Sequence, residues 1–488
     1  MPPVDWRDVA RVTIDMLPDV ALLEIFDFYL GNGTRVQPVQ AWHKLVHVCR
    51  NWRNVVFGSP RRLNLRLCCT NSTPVRETID AWPLLPILVV GRAKGGVDNI
   101  VAALEHNDRI CQVDLSDSPS SDMDKVLAAM QRPFPALTYL RLWSRVETVP
   151  VDPSSFLGGS APPQLQQLRL SSIPFPGIPK LLLSATHLVN LELQGIPHSG
   201  YISPEAMVTG LAALTSLESL NISFKSPRSH PGRKSRRPPP PTRTLLPALN
   251  QLLFHGVSEY LDDLVARIDA PLLNKLEITF LYQLIFDSPQ LIQFIRRTPN
   301  IKACDKVCVE FSDSRVLATT FVGAFELAIS CTQSDWQLSS LAQVFSLGFF
   351  PAVKLLYILD QELNSRNTPS SQEDIQVETS QWLEVLHPLT AVKDLYISRG
   401  FTPRIAPTLQ ELVGGRVTEV LPALQTLYPG GTLQSGPVQE SIGKFVAARQ
   451  LAGCPVTVSD RFGRHLQAQM YLKKAKETHQ RIMVRSFA

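Results

Sequence analysis

This sequence has little charge for its length. Of its 488 residues, 19% are Asp, Glu, Lys or Arg, 44% are hydrophobic, and the net charge is +5. A polypeptide this apolar can bury a large core, so the composition excludes a protein that is disordered throughout. The positive excess lies largely in one loop and in the C-terminal tail, so nucleic acid is not an expected partner.

Long hydrophobic runs and a secretory leader are also absent. The opening residues, MPPVDWRDVARVTIDML, contain several charged side chains and no apolar run of the kind that a signal peptide has. The longest apolar region, residues 341–359, contains Gln343, Pro351 and Lys354, a pattern typical of a helix, a turn and a strand. We therefore expect no membrane partner and a location in the cytoplasm, the nucleus or both.

Cysteine is sparse, and its placement predicts neither disulfides nor a metal site. The 8 cysteines are scattered and mostly flanked by apolar residues, which is typical of reduced thiols in a core. Cys304 and Cys308 have metal-like spacing, but no second Cys or His pair follows at zinc-finger distance. His43 and His47 are four residues apart, yet the segment lacks the Glu of helical zinc sites and an evident third ligand.

Familiar catalytic motifs are missing as well. No glycine-rich phosphate loop follows a strand, no G-x-S-x-G sequence occurs, and no carboxylate pair stands out. We expect no catalytic residue and no cofactor, so binding is the activity to look for.

Two or three short apolar helices are predicted near the N-terminus. Pro18 fits a first helical turn, and apolar residues then recur at helical spacing as far as Leu30. Gly31 to Gly33 end this helix, and a second helical pattern runs from Trp42 to Val56. So small a unit cannot bury all of its apolar side chains within itself, so the excess faces a partner or the following domain.

These helices resemble the F-box motif in the order and spacing of their bulky residues. The resemblance rests on Leu17-Pro18, Leu22, Ile25-Phe26, Leu30, Leu45, Val48-Cys49, Trp52-Arg53 and Val56. Val20 and Ala21 stand where the motif usually has an acidic residue and a Leu. The wider stretch WHKLVHVCRNWRNVVFGSPRRLNLRLCCT is similar to fungal F-box-like proteins with leucine-rich repeats.

The resemblance implies a docking role. F-box proteins bind a Skp-type adaptor, which joins them to the cullin scaffold of an SCF ubiquitin ligase. The residues that the resemblance assigns to this docking face are Leu17, Pro18, Leu22, Ile25, Phe26, Val48, Cys49 and Trp52.

A short leucine pattern recurs after the helices. It reads Leu137-x-x-Leu140-x-Leu142 and returns at Leu165, Leu188, Leu217 and Leu273. The spacing matches or approaches that of leucine-rich repeats. Weaker copies begin at Ile110, Leu249, Val353 and Val392, and helical candidates lie at residues 123–130, 204–214 and 338–347. Strand and helix alternating at this period predict an irregular α/β solenoid, although residues 278–353 lack a clean copy.

Alternation along each strand identifies a candidate binding surface. Because successive side chains of a strand point to opposite faces, burial of the leucines turns the residues between them outward. The outward mixture of aromatic, charged and polar types suits protein recognition. The candidates for substrate contact are Tyr139, Arg141, Trp143, Arg169, Glu192, Asn221, Glu277 and Tyr396.

The sequence thus divides into four segments. Residues 1–14 form an N-terminal extension, 15–62 the F-box-like helices, 63–435 the repeats, and 436–488 a C-terminal helical cap with a basic tail. Residues 225–244, KSPRSHPGRKSRRPPPPTRT, are predicted to form a disordered basic, proline-rich loop within the repeats. Recognition of this loop by an SH3 domain and nuclear import are the alternative interpretations.

Together these patterns predict an α+β or α/β protein, with a small helical F-box followed by an irregular leucine-rich-repeat-like solenoid. The function that the resemblance implies is a non-catalytic substrate-recognition adaptor of an SCF-type ligase, with an unknown protein substrate on the solenoid. The alternative is a repeat scaffold outside any ligase, in which the F-box-like helices only cap the solenoid.

Overall fold

Apolar residues at alternate positions give each strand one face that is buried under helices. The computed structural model describes residues 17–30, 45–58, 65–82, 84–92, 96–118, 120–226, 242–281, 286, 288–302, 305–321, 323–331, 334–350, 353–360, 372–412, 414–431 and 436–459. Within them, a mostly parallel sheet of 16 strands has the order β1-β2-β3-β4-β5-β6-β7-β9-β11-β14-β13-β12-β15-β16-β17-β18. The mixed α/β class predicted from the sequence is therefore confirmed.

The strands of this sheet follow the sequence order with few exceptions. They are β1 (Leu65–Cys69), β2 (Ile87–Arg92), β3 (Ile110–Ser118), β4 (Tyr139–Ser144), β5 (Gln167–Ser171), β6 (Asn190–Ile196), β7 (Ser219–Phe224), β9 (Gln251–Gly256), β11 (Lys275–Leu281), β12 (Lys306–Ser312), β13 (Arg315–Thr320), β14 (Phe325–Ser330), β15 (Leu355–Asp360), β16 (Asp394–Ile397), β17 (Thr426–Pro429) and β18 (Thr457–Val458). Two short strands, β8 (Thr244–Leu245) and β10 (Ile268–Asp269), pair separately.

Helices connect most of the parallel strands. They are α1 (Asp19–Leu30), α2 (Arg50–Gly58), α3 (Val75–Ala81), α4 (Val97–Leu104), α5 (Ser120–Ala129), α6 (Ile178–Leu182), α7 (Pro204–Leu211), α8 (Ser258–Val265), α9 (Pro289–Arg297), α10 (Pro299–Lys302), α11 (Ser334–Ser346), α12 (Gln372–Leu386), α13 (Thr402–Glu411) and α14 (Pro437–Leu451). The three predicted helical segments correspond to α5, α7 and α11.

The leucine pattern predicts the parallel strands well. Each of its nine copies overlaps a strand: β4, β5, β6, β7 and β11 for the strong copies, and β3, β9, β15 and β16 for the weaker ones. Leu140 and Leu142 of β4 are fully buried, and they belong to one hydrophobic core with helix residues such as Met123 and Val126. Burial of a leucine side chain contributes about 2 kcal/mol, which makes this alternation a strong determinant of the sheet.

Residues 278–353, where no copy is found, contain an antiparallel meander. Strand β12 pairs with β13, and β13 with β14, in antiparallel fashion. The meander is reversed in space, because β14 joins β11 and β12 joins β15. Its strands are apolar or buried on both faces, as in Val316 to Thr320, so they show no alternation of leucine with polar residues.

The sheet also extends past the predicted segment boundary at residue 435. Strand β18 follows α14 and pairs in parallel with β17. The predicted C-terminal cap therefore includes a further strand. The N-terminal extension, Trp42, His43, Cys304, residues 227–241 of the basic loop and residues 460–488 of the tail lie outside the described residues.

Two arginine side chains, each on a helix, donate hydrogen bonds to backbone carbonyls of the segment that precedes that helix. Arg449 of α14 is fully buried. Its Nη1 donates to Val417 O at 2.8 Å, and its Nη2 donates to the carbonyls of Pro422 and Leu424, both at 3.2 Å. Arg297 of α9 likewise donates to two carbonyls, those of Val265 and Ile268. These contacts satisfy carbonyls that a buried helix end would leave unpaired.

We expect Arg449→Met to destabilise the C-terminal end of the sheet by about 2 to 4 kcal/mol, because it leaves the buried carbonyls of Val417 and Leu424, and the partly buried carbonyl of Pro422, without this donor. Hydrogen exchange of the α14 amides in the full-length protein would measure the loss. Lys444→Met is the matched control, since Lys444 is exposed on the same helix and pairs with Glu440 at 2.7 Å. Equal exchange rates in the two variants would contradict a role for the buried guanidinium.

Candidate functional site

Outward side chains of successive strands align in one row across the sheet. Pairing places Asp114 of β3 beside Arg141, Arg141 beside Arg169, and Arg169 beside Glu192. We call the full line the transverse row. Its members in spatial order are Asp114, Arg141, Arg169, Glu192, Asn221, Leu253, Glu277, Glu326, Thr319, Cys308, Tyr357, Tyr396 and Tyr428.

Six of the predicted substrate-contact residues belong to this row. They are Arg141, Arg169, Glu192, Asn221, Glu277 and Tyr396. The other two, Tyr139 and Trp143, flank Arg141 along β4 and are half-buried. The structure thus brings residues from distant parts of the sequence onto one face, opposite the leucines.

The first part of the row is a charged cluster. Arg141 Nη1 lies 3.6 Å from Asp114 Oδ2, and Arg169 Nε lies 3.3 Å from Glu192 Oε2. Asn221 donates to Glu192 Oε1 at 3.4 Å, and the Arg169 guanidinium lies over the Tyr139 ring at 6.0 Å from its centroid. Two arginines therefore lie at the centre of the cluster, with one acidic residue on each side.

The side chains of this charged cluster are partly buried. Burial raises the pKa of Asp114, although the charges of Arg141, Arg66 and Arg169 oppose the shift. Burial also raises the pKa of Tyr139, and the charge of Asp114 adds to it. The Tyr139 hydroxyl is buried and has no hydrogen-bond partner among the described residues. Charge interactions are stronger in such a setting than at an open surface.

The last part of the row is a stack of aromatic rings. The centroids of Tyr357 and Tyr396 are 4.3 Å apart, and those of Tyr396 and Tyr428 are 4.0 Å apart with the rings almost parallel, at 2°. The Phe321 ring packs on the Tyr357 ring, with their centroids 4.9 Å apart. With Cys308 and Leu359, these rings form a small hydrophobic cluster apart from the main core.

Stacking changes the expected role of Tyr396. The sequence predicts an outward, accessible residue, but Tyr396 is only 8% exposed because rings on both neighbouring strands cover its faces. Burial raises its pKa, and it raises the pKa of Tyr357 to about 12. Tyr396 therefore supports the surface more than it contacts a partner.

The predicted docking residues divide into buried and exposed members. Leu22 and Phe26 of α1 are fully buried, and the Phe26 ring packs on Trp52 with centroids 4.7 Å apart. Ile25 is 42% exposed and Val48 is 57% exposed.

The remaining docking residues lie near the surface. Pro18 is exposed, while Leu17, Cys49 and Trp52 are partly buried. Cys49 Sγ accepts the Trp52 backbone N–H at 3.4 Å. His47 lies in a turn, not on the helix that a paired metal site with His43 requires.

A cavity of about 640 Å³ lies on the helical side of the sheet. Sequence reasoning missed it because its lining comes from α11, α12 and residues 412–420, which are far apart in the sequence. Its charged lining residues are Glu384, Arg416 and Glu419, and all three are exposed.

The part of the protein that the structure describes contains neither a candidate metal site nor a candidate membrane-spanning helix. No group of three or more His, Cys, Asp or Glu side chains within the ranges given above is placed to hold a metal ion. None of the helices in those ranges is both long and apolar enough to cross a bilayer.

No family model matches this sequence, and no curated protein matches it.

We expect Tyr357→Phe to reduce the sensitivity of the fold to alkali. With a folded pKa of about 12 and an ordinary value of 10.0, this phenol stays protonated in the native protein while it ionises in the unfolded state. Its contribution to stability is therefore complete below pH 10 and is lost as the pH rises towards 12.

Urea denaturation at about pH 9.5 and about pH 11.5, on either side of the ionisation in the unfolded state, would test this expectation. The fall in the unfolding midpoint between the two pH values should be smaller in Tyr357→Phe than in the wild type. Phe321→Leu disturbs the same ring cluster without removing a phenol, so it should keep the wild-type dependence. An unchanged dependence in Tyr357→Phe would show that its phenol stays at an ordinary pKa.

Proposed function

We propose that this protein is a substrate-recognition adaptor of an SCF-type ubiquitin ligase. The N-terminal helices dock on a Skp-type adaptor and through it on the cullin scaffold, and the outward face of the sheet binds a protein substrate. The protein itself is non-catalytic on this proposal, since ubiquitin transfer belongs to the assembled ligase.

Uncovered apolar side chains on the N-terminal helices are the observation that carries the proposal. Ile25, Val48 and Val20 are 42%, 57% and 66% exposed, although Leu22 and Phe26 beside them are fully buried. Val20 and Ile25 lie on α1 and Val48 lies in the turn before α2, and exposed apolar side chains on so small a helical unit favour a partner that covers them. On this proposal, Ile25 and Val48 contact the adaptor, while Leu22, Phe26 and Trp52 hold the helices in place.

The arrangement of strands supports the second half of the proposal. We propose that the parallel units form an irregular leucine-rich-repeat solenoid, interrupted by the meander of β12 to β14. The transverse row and its neighbours offer arginine, tyrosine and tryptophan on one face, and these types dominate the energy of protein interfaces. A protein substrate is the ligand that such an extended face fits. The cytoplasm and the nucleus are the compartments consistent with this role.

A specific observation also favours the scaffold alternative. Leu22, Phe26 and Val56 belong to the same continuous core as strand residues such as Leu67 and Val89. On either function, the N-terminal helices share the core of the sheet. The two functions differ in whether the exposed side chains bind an adaptor.

Ile25→Asp combined with Val48→Asp tests the docking face without disturbing the core. Both side chains are exposed, so the double variant should fold as the wild type does. Two charges placed in an apolar interface should reduce adaptor recovery in co-purification about tenfold or more, since single hot-spot losses are typically about 2 to 4 kcal/mol.

The matched control is Val146→Asp with Leu272→Asp. These side chains are 54% and 58% exposed and lie outside the N-terminal helices. The control should retain full adaptor recovery. If the Ile25 and Val48 variant, shown to be folded by circular dichroism, also retains it, the ligase proposal fails and the scaffold alternative stands.

A further inference from the structure

The two central arginines of the charged cluster lie side by side. Arg141 and Arg169 are paired positions on adjacent parallel strands, which are about 4.8 Å apart. Each guanidinium meets its own carboxylate on its outer side: Asp114 next to Arg141, and Glu192 next to Arg169. The space between the two guanidiniums is therefore bordered by positive charge from both strands.

The ion pairs do not use all of the capacity of these guanidiniums. A guanidinium has five N–H donors, more than one carboxylate accepts. The contacts to Asp114 and Glu192 are 3.6 and 3.3 Å long, which is longer than a bidentate arginine–carboxylate pair. A third guanidinium, that of Arg66, acts on Asp114. The cluster thus has more N–H donors than Asp114 and Glu192 accept.

The surroundings favour a ligand that carries a carboxylate. The Arg169 guanidinium lies over the Tyr139 ring, whose buried hydroxyl has no hydrogen-bond partner in the described part of the protein. Trp143 lies on the other side of Arg141 along β4. A negative charge held by two guanidiniums, with aromatic rings beside it, is the arrangement that binds an acidic group on a peptide.

We propose that Arg141 and Arg169 together bind a carboxylate of the substrate polypeptide, supplied by an Asp or Glu residue or by its C-terminus. Asp114 and Glu192 compete with this carboxylate and hold the guanidiniums in position until it binds. This inference rests on the proposed use of the sheet face for substrate, and it adds the chemical class that the face selects.

Fluorescence anisotropy with the full-length protein tests the inference at about 50 mM salt, where charge interactions are weakly screened. The first probe is a labelled peptide Gly-Gly-Glu-Glu-Glu-Gly-Gly with an amidated C-terminus, compared with the same peptide carrying Gln. A third peptide, all Gly with a free C-terminal carboxylate, separates the two sources of the group. At least one carboxylate peptide should bind about tenfold more tightly than the Gln peptide.

Two opposite variants make the result specific. Arg141→Gln with Arg169→Gln should lose this tenfold preference, whereas Asp114→Asn with Glu192→Gln should strengthen binding because the competing carboxylates are gone. Arg76→Gln with Arg132→Gln removes the same charge at exposed positions outside the row and should change neither. The strengthened variant keeps the test decisive if the arginine variant does not fold.

Failure of the carboxylate-binding inference can be distinguished from failure of the proposed ligase function. Equal binding of the Glu, Gln and free-carboxylate peptides, or no gain in the Asp114 and Glu192 variant, would overturn the inference while leaving adaptor recovery unaffected. If the Ile25 and Val48 variant retains adaptor recovery while the wild type keeps its peptide preference, the ligase assignment is overturned instead and a carboxylate-binding scaffold remains.

Discussion

Register between the parallel strands is the constraint on which the surface depends. The strands β4, β5, β6, β7 and β11 bury leucine or isoleucine on one face, and a slip of one residue would turn these side chains to the outside. For β4 alone, such a slip would expose Leu140 and Leu142, at a cost of several kcal/mol by the usual value for buried leucine. The core therefore fixes the pairing, and the outward residues take their alignment from it. Their identity can vary without disturbing that core.

The sheet face is chemically divided along the transverse row. Charged and amide side chains occupy the strands from β3 to β7, and stacked tyrosines occupy the strands from β15 to β17. The charged region can orient a ligand through its ion-pairing side chains, and the tyrosine stack gives the other region a rigid apolar surface. On the proposed function, a substrate polypeptide that lies across the strands meets the two regions in an order set by its direction.

Much of the transverse row could be predicted from the sequence, and particular residues show why the other members of the row could not. Arg169 and Glu192 occupy equivalent positions in the leucine pattern, so period-two alternation places both on the row. Glu326 and Thr319 lie in the antiparallel meander, where no such pattern exists. The sequence predicts an accessible Tyr396 because its own strand turns it outward, but its burial depends on Tyr357 and Tyr428 in other units. Packing between distant segments leaves no periodic signal in one sequence.

The reversed order of the meander has a consequence for how the protein folds. In a regular array each new strand adds to the one made just before it, so the growing edge is covered at once. Here β11 pairs later, because its neighbour in the sheet is β14 and the strands β12 and β13 are synthesised before β14. During synthesis the edge of β11 stays open until Phe325 and the residues after it have emerged. The first half of the sheet therefore passes through a stage with an unpaired edge, and such an edge is prone to aggregation.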